Sequence, residues 1–301
     1  MMKISYPTSN KKLLFCLACM LFMNLSYAVT VNATYVMFNS SIDSIMYDNV
    51  TGKFHGKTWG NAECQASSFS NYSSLEANSP YHTAGIGSNH SYNTYFEANN
   101  GKFFGQYSYS APTIGRWNAE TKALEKTVTI PNANHDKYFN WTGHTEVNVF
   151  FDGLAIYALT GDSAGSGGWR LTKLDQELNV LDSKVFQDSS IGHAFMINGK
   201  FFTSNSYDNF SFNQVFDFVT GSYSVCDFAI SPNYGSGTAG SNYMTDSAYD
   251  AANDVMYFSR WGYIYKVDSA SATFNATSVP EPSALALLGI GILVFLCRRG
   301  K

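Results

Sequence analysis

Short apolar runs separated by polar turns dominate the chain between residues 29 and 278. The runs are rich in Phe, Tyr, Val and Ile, and Asn-Gly, Asp-Gly, Thr-Gly and Gly-Ser pairs separate them. Runs of this kind, bounded by residues that favour tight turns, are typical of β-strands. Stretches of Ala, Leu, Glu and Lys that would favour long helices are scarce. The pattern therefore predicts an all-β fold.

One segment also fits a helix. Leu171, Leu174, Leu178 and Leu181 have a spacing that would place them on one helical face. The internal repeat favours two strands around a turn at residues 176–179, and strands are the prediction.

An internal repeat indicates the architecture. The segment Asn100–Tyr109 recurs as Asn198–Tyr207, 98 residues later, and related segments begin at Asp152 and Asn253. Ala33–Phe38 is interpreted as a degenerate first copy. Each copy is followed by further strands, and repeats of about 40–50 residues are typical of four-stranded propeller blades. The sequence predicts a five-bladed β-propeller. A ring with another blade number, or a β-sandwich with accidental similarity, is the alternative.

The N-terminus has the features of a signal peptide. Lys3, Lys11 and Lys12 accompany an apolar run over residues 13–23, and Ser26 and Ala28 are the small residues expected before a cleavage site. A permanent N-terminal anchor is the alternative, but the run is short for a membrane span. We expect residues 1–28 to be removed on export.

The C-terminus combines a proline-containing motif, an apolar run over residues 284–297 and the basic residues Arg298, Arg299 and Lys301. Proline keeps the motif extended. This tail resembles the PEP-CTERM sorting tail. The resemblance implies that an exosortase-type protease processes the chain at Pro280, Glu281 and Pro282. It also implies a single hydrophobic helix that anchors the protein transiently in the inner membrane before release to the cell surface or extracellular matrix. A plain C-terminal anchor is the alternative.

These ends divide the chain into a signal peptide at 1–28, a β-propeller-like extracellular domain at 29–278 and a sorting tail at 279–301. The middle part keeps 13 of the 19 basic and 22 of the 23 acidic residues, which gives a net charge of −9. An acidic surface disfavours nucleic acid as a partner. It suits a soluble extracellular protein that meets neutral glycans or divalent cations.

Two cysteines remain in the middle part, Cys64 and Cys226. In an oxidising compartment they could form one disulfide that closes a long loop. Two separate buried thiols are the alternative.

Polar residues recur at the repeat spacing. His90, His144, His193 and Asp246 each lie before a strand of successive repeats. Equivalent positions in a propeller lie on a ring about its axis, so three imidazoles and a carboxylate could converge on a transition metal. The alternative, which we favour, is that these histidines tie neighbouring blades together. The sequence identifies no cofactor.

Carboxylates suited to glycoside chemistry include Glu97, Glu146 and Asp246. No motif places two of them together, and a fold alone does not fix a function. The sequence therefore predicts a non-catalytic binding or scaffold propeller, with extracellular polysaccharide as a candidate partner. The alternative is a secreted glycan-active hydrolase or lyase, or a metal-dependent enzyme that uses the histidine ring.

Overall fold

A computed structural model describes the middle of the chain, and both terminal segments lie outside its described residues. The described residues are 29–38, 42, 44–58, 65–86, 96–108, 111–134, 147–153, 155–163, 167–187, 191–204, 210–232, 244, 246–260 and 262–277. Within them, no helix combines the length and apolar character needed to cross a membrane. The predicted signal peptide and the helix of the sorting tail fall on residues outside this set.

The described strands form successive four-stranded antiparallel units, and in the first four the strands follow chain order. The first unit contains β2 (Ser44–Asp48), β3 (Lys53–Thr58), β4 (Gln65–Phe69) and β5 (His82–Gly85). The second contains β6 (Glu97–Asn99), β7 (Lys102–Ser108), β8 (Thr113–Asn118) and β9 (Leu124–Thr129). The third contains β11 (Asn148–Asp152), β12 (Ala155–Asp162), β13 (Trp169–Leu174) and β14 (Val180–Phe186), with the short β10 (Ala133–Asn134) also paired to β12.

The last two units share the N-terminal strand. The fourth contains β15 (His193–Ile197), β16 (Lys200–Ser204), β17 (Ser211–Asp217) and β18 (Ser222–Pro232). The fifth contains β19 (Asp246–Asp250), β20 (Val255–Arg260), β21 (Tyr263–Asp268) and, as its outer strand, β1 (Val29–Phe38). The fold is thus all-β and propeller-like.

Strand β1 joins the two ends of this arrangement. Its first half pairs in parallel with β18, from Val29 opposite Phe228 to Ala33 opposite Pro232. Its second half pairs antiparallel with β21. The interpretation of Ala33–Phe38 as a first repeat copy is therefore wrong. Ala33 pairs with β18 and the residues from Thr34 to Phe38 pair with β21, so the segment joins the last two units and does not form a strand of the first.

Two short helices accompany the strands. Helix α1 (Tyr72–Glu76) begins at Asn71, whose side chain accepts from the Ser74 backbone N–H in a capping box. Helix α2 (Ala270–Thr277) follows β21. Its Phe274 is fully buried and contacts Phe195 and Phe228, so α2 is fixed to the main core.

The repeated Asn-Gly pairs form tight hairpin turns between the first and second strands of their units. Asn100 and Gly101 have φ values of 51° and 70°, and Asn198 and Gly199 have values of 54° and 73°. Positive φ at both positions defines the turn that matches strand twist, and Asn-Gly is the pair that adopts it most easily. The predicted turn at residues 176–179 is confirmed as well, since β13 ends at Leu174 and β14 begins at Val180.

Candidate functional site

The first strands of the units pack against one another near the centre of the molecule. Strand β19 lies against β2, β2 against β6, and β11 against β15, while β11 also approaches both β6 and β19. Side chains at the start of these strands are therefore brought together although they are about 50 residues apart in the chain. We call this region the axial site.

The residues that begin the first strands are all buried and polar: Ser44, Glu97, Asn148, His193 and Asp246. Four of them begin strands of five residues, whereas Glu97 begins a strand of only three. Glu97 thus lies two residues closer to its hairpin turn than the others. The ring is polar, but its members differ in chemistry from one unit to the next.

Two buried carboxyl groups interact electrostatically in the axial site. Glu97 and Asp246 expose 4% and 0% of their surfaces. Burial, followed by the charge of Asp246, raises the pKa of Glu97 well above its usual range, although the Phe151 N–H lowers it. Burial likewise raises the pKa of Asp246. The pair therefore favours a state in which at least one proton or cation offsets its charge.

Lys57 supplies a positive charge that acts on Asp246. Its side chain is 2% exposed, its charge lowers the pKa of Asp246, and its ammonium lies 5.0 Å from the centre of the Phe96 ring. In a region of low dielectric, the negative charge of a buried carboxylate is costly unless it is protonated or paired.

The Asp246 carboxyl accepts hydrogen bonds from two different units. Its Oδ1 accepts from the Ser247 N–H at 2.9 Å, and the carboxyl also accepts from the backbone N–H of Phe96 in the second unit. Its Oδ2 is buried without a hydrogen-bond partner among the described residues. Carboxylate oxygens suit hard cations such as Ca²⁺. However, no cluster of three or more His, Cys, Asp or Glu side chains suited to a metal occurs within the described ranges.

His193 is buried and lies between the fourth and fifth units. Its Nδ1 accepts from the backbone N–H of Met244 at 3.3 Å, and its ring lies 6.0 Å from that of Phe210. Met244 precedes the fifth unit, so the imidazole connects the fourth unit to the fifth. His90, His144 and Glu146 lie outside the described residues, and the residue of β11 that corresponds to His193 is Asn148. The ring of three histidines stays a prediction.

Cys226 lies on β18 as a fully buried thiol, and burial raises its pKa to about 12. A thiol with this pKa reacts slowly because little thiolate is present. Cys64 lies outside the described residues, and its disulfide with Cys226 stays a prediction.

Sequence reasoning missed Lys57 and a second buried basic group, Lys122. The Lys122 ammonium donates to Ser68 Oγ at 2.7 Å and to the Ala119 carbonyl at 2.5 Å, and Ser68 Oγ also lies 2.9 Å from His55 Nδ1. Burial lowers the pKa of Lys122 to about 8 and that of His55 to about 3. Lysine is normally exposed, so nothing local in the sequence marks either lysine as buried.

The described residues form an all-β, repeat-built, propeller-like fold with buried polar residues at its centre. Residues 28–263 match the family model for the olfactomedin-like domain, which is a β-propeller, and the chain belongs to that family. Residues 278–300 match the PEP-CTERM protein-sorting motif, as the tail predicted.

Similarity to individual proteins is more limited. Myocilin of Bos taurus is 27% identical over 117 residues, which cover 36% of this chain and 24% of myocilin. Myocilin of Felis catus is 25% identical over 116 residues, with the same coverage. The matched region thus spans about a quarter of the length of these relatives.

Two solved structures resemble the fold distantly. Glutaminyl cyclase of Myxococcus xanthus has a TM-score of 0.48 at 11% identity, covering 79% of this chain and 97% of that protein. The WD40 repeats of RRP9 have a TM-score of 0.43 at 13% identity, covering 74% and 59%. Neither likeness is close enough to bear on function.

Proposed function

We propose that this chain is an exported cell-surface or extracellular-matrix protein whose body is a non-catalytic binding propeller. The sorting motif indicates export that depends on an exosortase. The domain division at 1–28, 29–278 and 279–301 is part of the proposal. It is supported by the two family matches, which cover residues 28–263 and 278–300.

The blade number is also proposed rather than observed. Counting one blade for each four-stranded unit gives five blades, with β1 supplying the outer strand of the last. This count agrees with the repeat length in the sequence. A ring closed by its N-terminal strand leaves few exposed sheet edges near the junction, which is how propellers limit unwanted strand pairing.

The observation that carries the non-catalytic proposal is the burial of Glu97 and Asp246. A glycoside hydrolase needs one acid and one base that a substrate can reach. These carboxyl groups have essentially no exposed surface, and Phe96, Phe151 and Lys57 surround them. We therefore assign the pair to holding the units together through a shared proton or a bound cation.

Export and processing can be tested directly. Place one epitope tag after residue 28 and another after Lys301, and express the chain in hosts with and without an exosortase-type protease. We expect loss of the C-terminal tag only when the protease is present, and retention when Pro280 and Pro282 are both changed to Ala. Equal retention in both hosts would show a plain membrane anchor instead.

Catalysis can be tested separately. The protein should release no reducing ends from neutral or acidic polysaccharides during long incubation. Product release that disappears in Glu97→Gln or Asp246→Asn, with the melting temperature retained, would overturn the non-catalytic proposal.

A further inference from the structure

Three aromatic side chains form an exposed group on the outer edge of the fifth unit. Tyr35 and Phe38 of β1 are 42% and 50% exposed, and Tyr263 of β21 lies between them, partly buried. The ring centres of Phe38 and Tyr263 are 4.6 Å apart with planes at 42°, and those of Tyr35 and Tyr263 are 6.5 Å apart at 53°. The tilts give these rings the shape of a shallow trough, and we call them the aromatic trough.

A β-bulge creates this surface. Residues three apart on a regular strand point to opposite faces. The pairing between β1 and β21 shifts register between Tyr35 and Met37, so the extra residue returns Phe38 to the face that carries Tyr35. Met37 points into the core on the other side. The irregularity therefore exposes two aromatic rings side by side, where a regular strand would have exposed one.

A buried ring on the same face of the sheet packs beside the trough. Tyr265 pairs with Tyr35 across the strands and is only 1% exposed, and its ring meets that of Tyr35 edge-on at 6.0 Å. Such pairs restrain both rings. The exposed rings are consequently held in place by the sheet, so a ligand would bind to rings that are already ordered.

The three side chains of the trough carry no charge. On the β20 side, the residue paired with Tyr263 is Arg260, which is 5% exposed and so contributes little to the surface. The nearest exposed charges on β21 are Lys266 and Asp268, which form an ion pair with each other at 3.0 Å. We interpret this group of exposed aromatic rings as a binding surface. The chemistry favours a neutral ligand.

We infer that the aromatic trough binds a neutral polysaccharide, and this inference rests on the proposed function of an exported binding propeller. The C–H groups on one face of a pyranose carry slight positive charge and pack against the negative face of an aromatic ring. The hydroxyl groups at the rim of the sugar stay in water. Three rings in a row can contact successive sugars of one chain, which gives affinity to a polymer rather than to a monosaccharide.

The test uses the full chain in mild detergent, with cellohexaose and laminarihexaose as probes and an oligomer of galacturonic acid as the anionic comparison. Binding is measured by isothermal titration. Tyr35→Ala combined with Phe38→Ala should weaken binding of the neutral hexasaccharide at least tenfold, whereas Tyr35→Phe should leave it within about twofold. The matched control is Val219→Ala with Val225→Ala, which removes exposed apolar surface (81% and 71%) from the fourth unit and should not change binding.

Each outcome is decisive. Absence of binding to both neutral hexasaccharides, stronger binding to the anionic oligomer, or unchanged binding in the double variant would overturn the site. If the double variant melts early, Phe38→Gln alone decides, because it alters only a half-exposed ring. Failure here leaves export and tail processing standing, since the tag experiment measures those without any glycan.

Discussion

Oδ2 of Asp48 lies 2.6 Å from the backbone nitrogen of Gly101, although the two residues are 53 positions apart and belong to neighbouring units. Oδ1 of the same carboxylate accepts from the Asn100 N–H at 2.8 Å. Asp152 repeats the arrangement in the third unit, where it accepts from the N–H groups of Asn198 and Gly199. An acid at the end of one first strand thus caps the Asn-Gly turn of the next unit.

Removing the Asp48 cap should destabilise the fold. Asp48→Ala removes the acceptor of four backbone N–H groups, those of Asn100 and Gly101 in the next unit and those of Val50 and Thr51 in its own turn. We therefore expect the free energy of unfolding to fall by about 1–3 kcal/mol. Asp48→Asn keeps one acceptor and should lose less. Asp217→Ala is the control, because among the described residues the Asp217 side chain accepts from Val219 and Thr220 in its own turn. Urea unfolding measures all three, and equal losses for Asp48→Ala and Asp217→Ala would contradict a role between units.

Because of the same cap, we expect the stability of the fold to decrease at acid pH. Burial would raise the pKa of Asp48, but the N–H groups of Gly101, Thr51 and Val50 hold it below its usual range. A lowered folded pKa gives stability that is present above the unfolded value, near 4, and lost as the pH falls through the folded value. Melting temperatures measured between pH 2 and pH 6 should therefore fall less steeply on acidification for Asp48→Asn than for the unchanged protein.

The axial acids predict the opposite trend. Because the folded pKa values of Glu97 and Asp246 are raised, this pair stabilises the fold less as the pH rises from about 4 through the raised values. Glu97→Gln removes one titrating group and should raise the melting temperature at pH 7 relative to the unchanged protein. Glu120→Gln, at an exposed ion pair with Lys53, is the control and should change little.

A bound cation would reverse that result. If a cation, rather than a proton, neutralises the pair, EDTA lowers the melting temperature of the unchanged protein and Glu97→Gln lowers it at pH 7. Thermal melts at pH 7, with and without EDTA, distinguish the two forms of the axial site. A Glu97→Gln variant that melts like the unchanged protein under every condition would show that the pair does not contribute to stability.

Because the pKa of Lys122 is lowered, we expect the fold to gain stability at alkaline pH. Burial lowers its folded pKa to about 8, below the unfolded value of about 10.4. The unfolded chain then binds more protons, so this group adds stability as the pH rises from about 8 to about 10. Lys122→Met should lack that rise, while Lys184→Met, at a more exposed position, should keep it. The difference between variants in urea unfolding at pH 7.5 and pH 9.5 is the measurement.

Strand β1 should be essential for closing the fold. Val31 is 4% exposed, packs in the main core and pairs with Ile230 of the fourth unit. Val31→Asp places an unpaired carboxylate there and should cost about 3–5 kcal/mol or abolish folding. Thr30→Asp, on the exposed face of the same strand, is the control and should be tolerated. Limited proteolysis reads out release of β1, and equal resistance of both variants would contradict its closing role.

The sequence by itself determined the features that depend on neighbouring residues. Strand-length apolar runs predicted the all-β class, and Asn100-Gly101 and Asn198-Gly199 predicted hairpin turns because few other pairs adopt positive φ twice in succession. The Leu178 turn followed from the same reasoning against a helical spacing. The sorting motif is also local, since three ordered parts of the tail carry it.

Only the tertiary structure decided which distant residues meet. The assignment of Ala33–Phe38 to the last unit, the approach of Asp246 to Phe96 and Glu97, and the burial of Lys57 all depend on contacts between segments far apart in the chain. The bulge that exposes Phe38 depends on its pairing with β21, which no local pattern in β1 encodes. Periodicity and turn chemistry act over a few residues, whereas the charge environment of a side chain is set by whatever folding brings beside it.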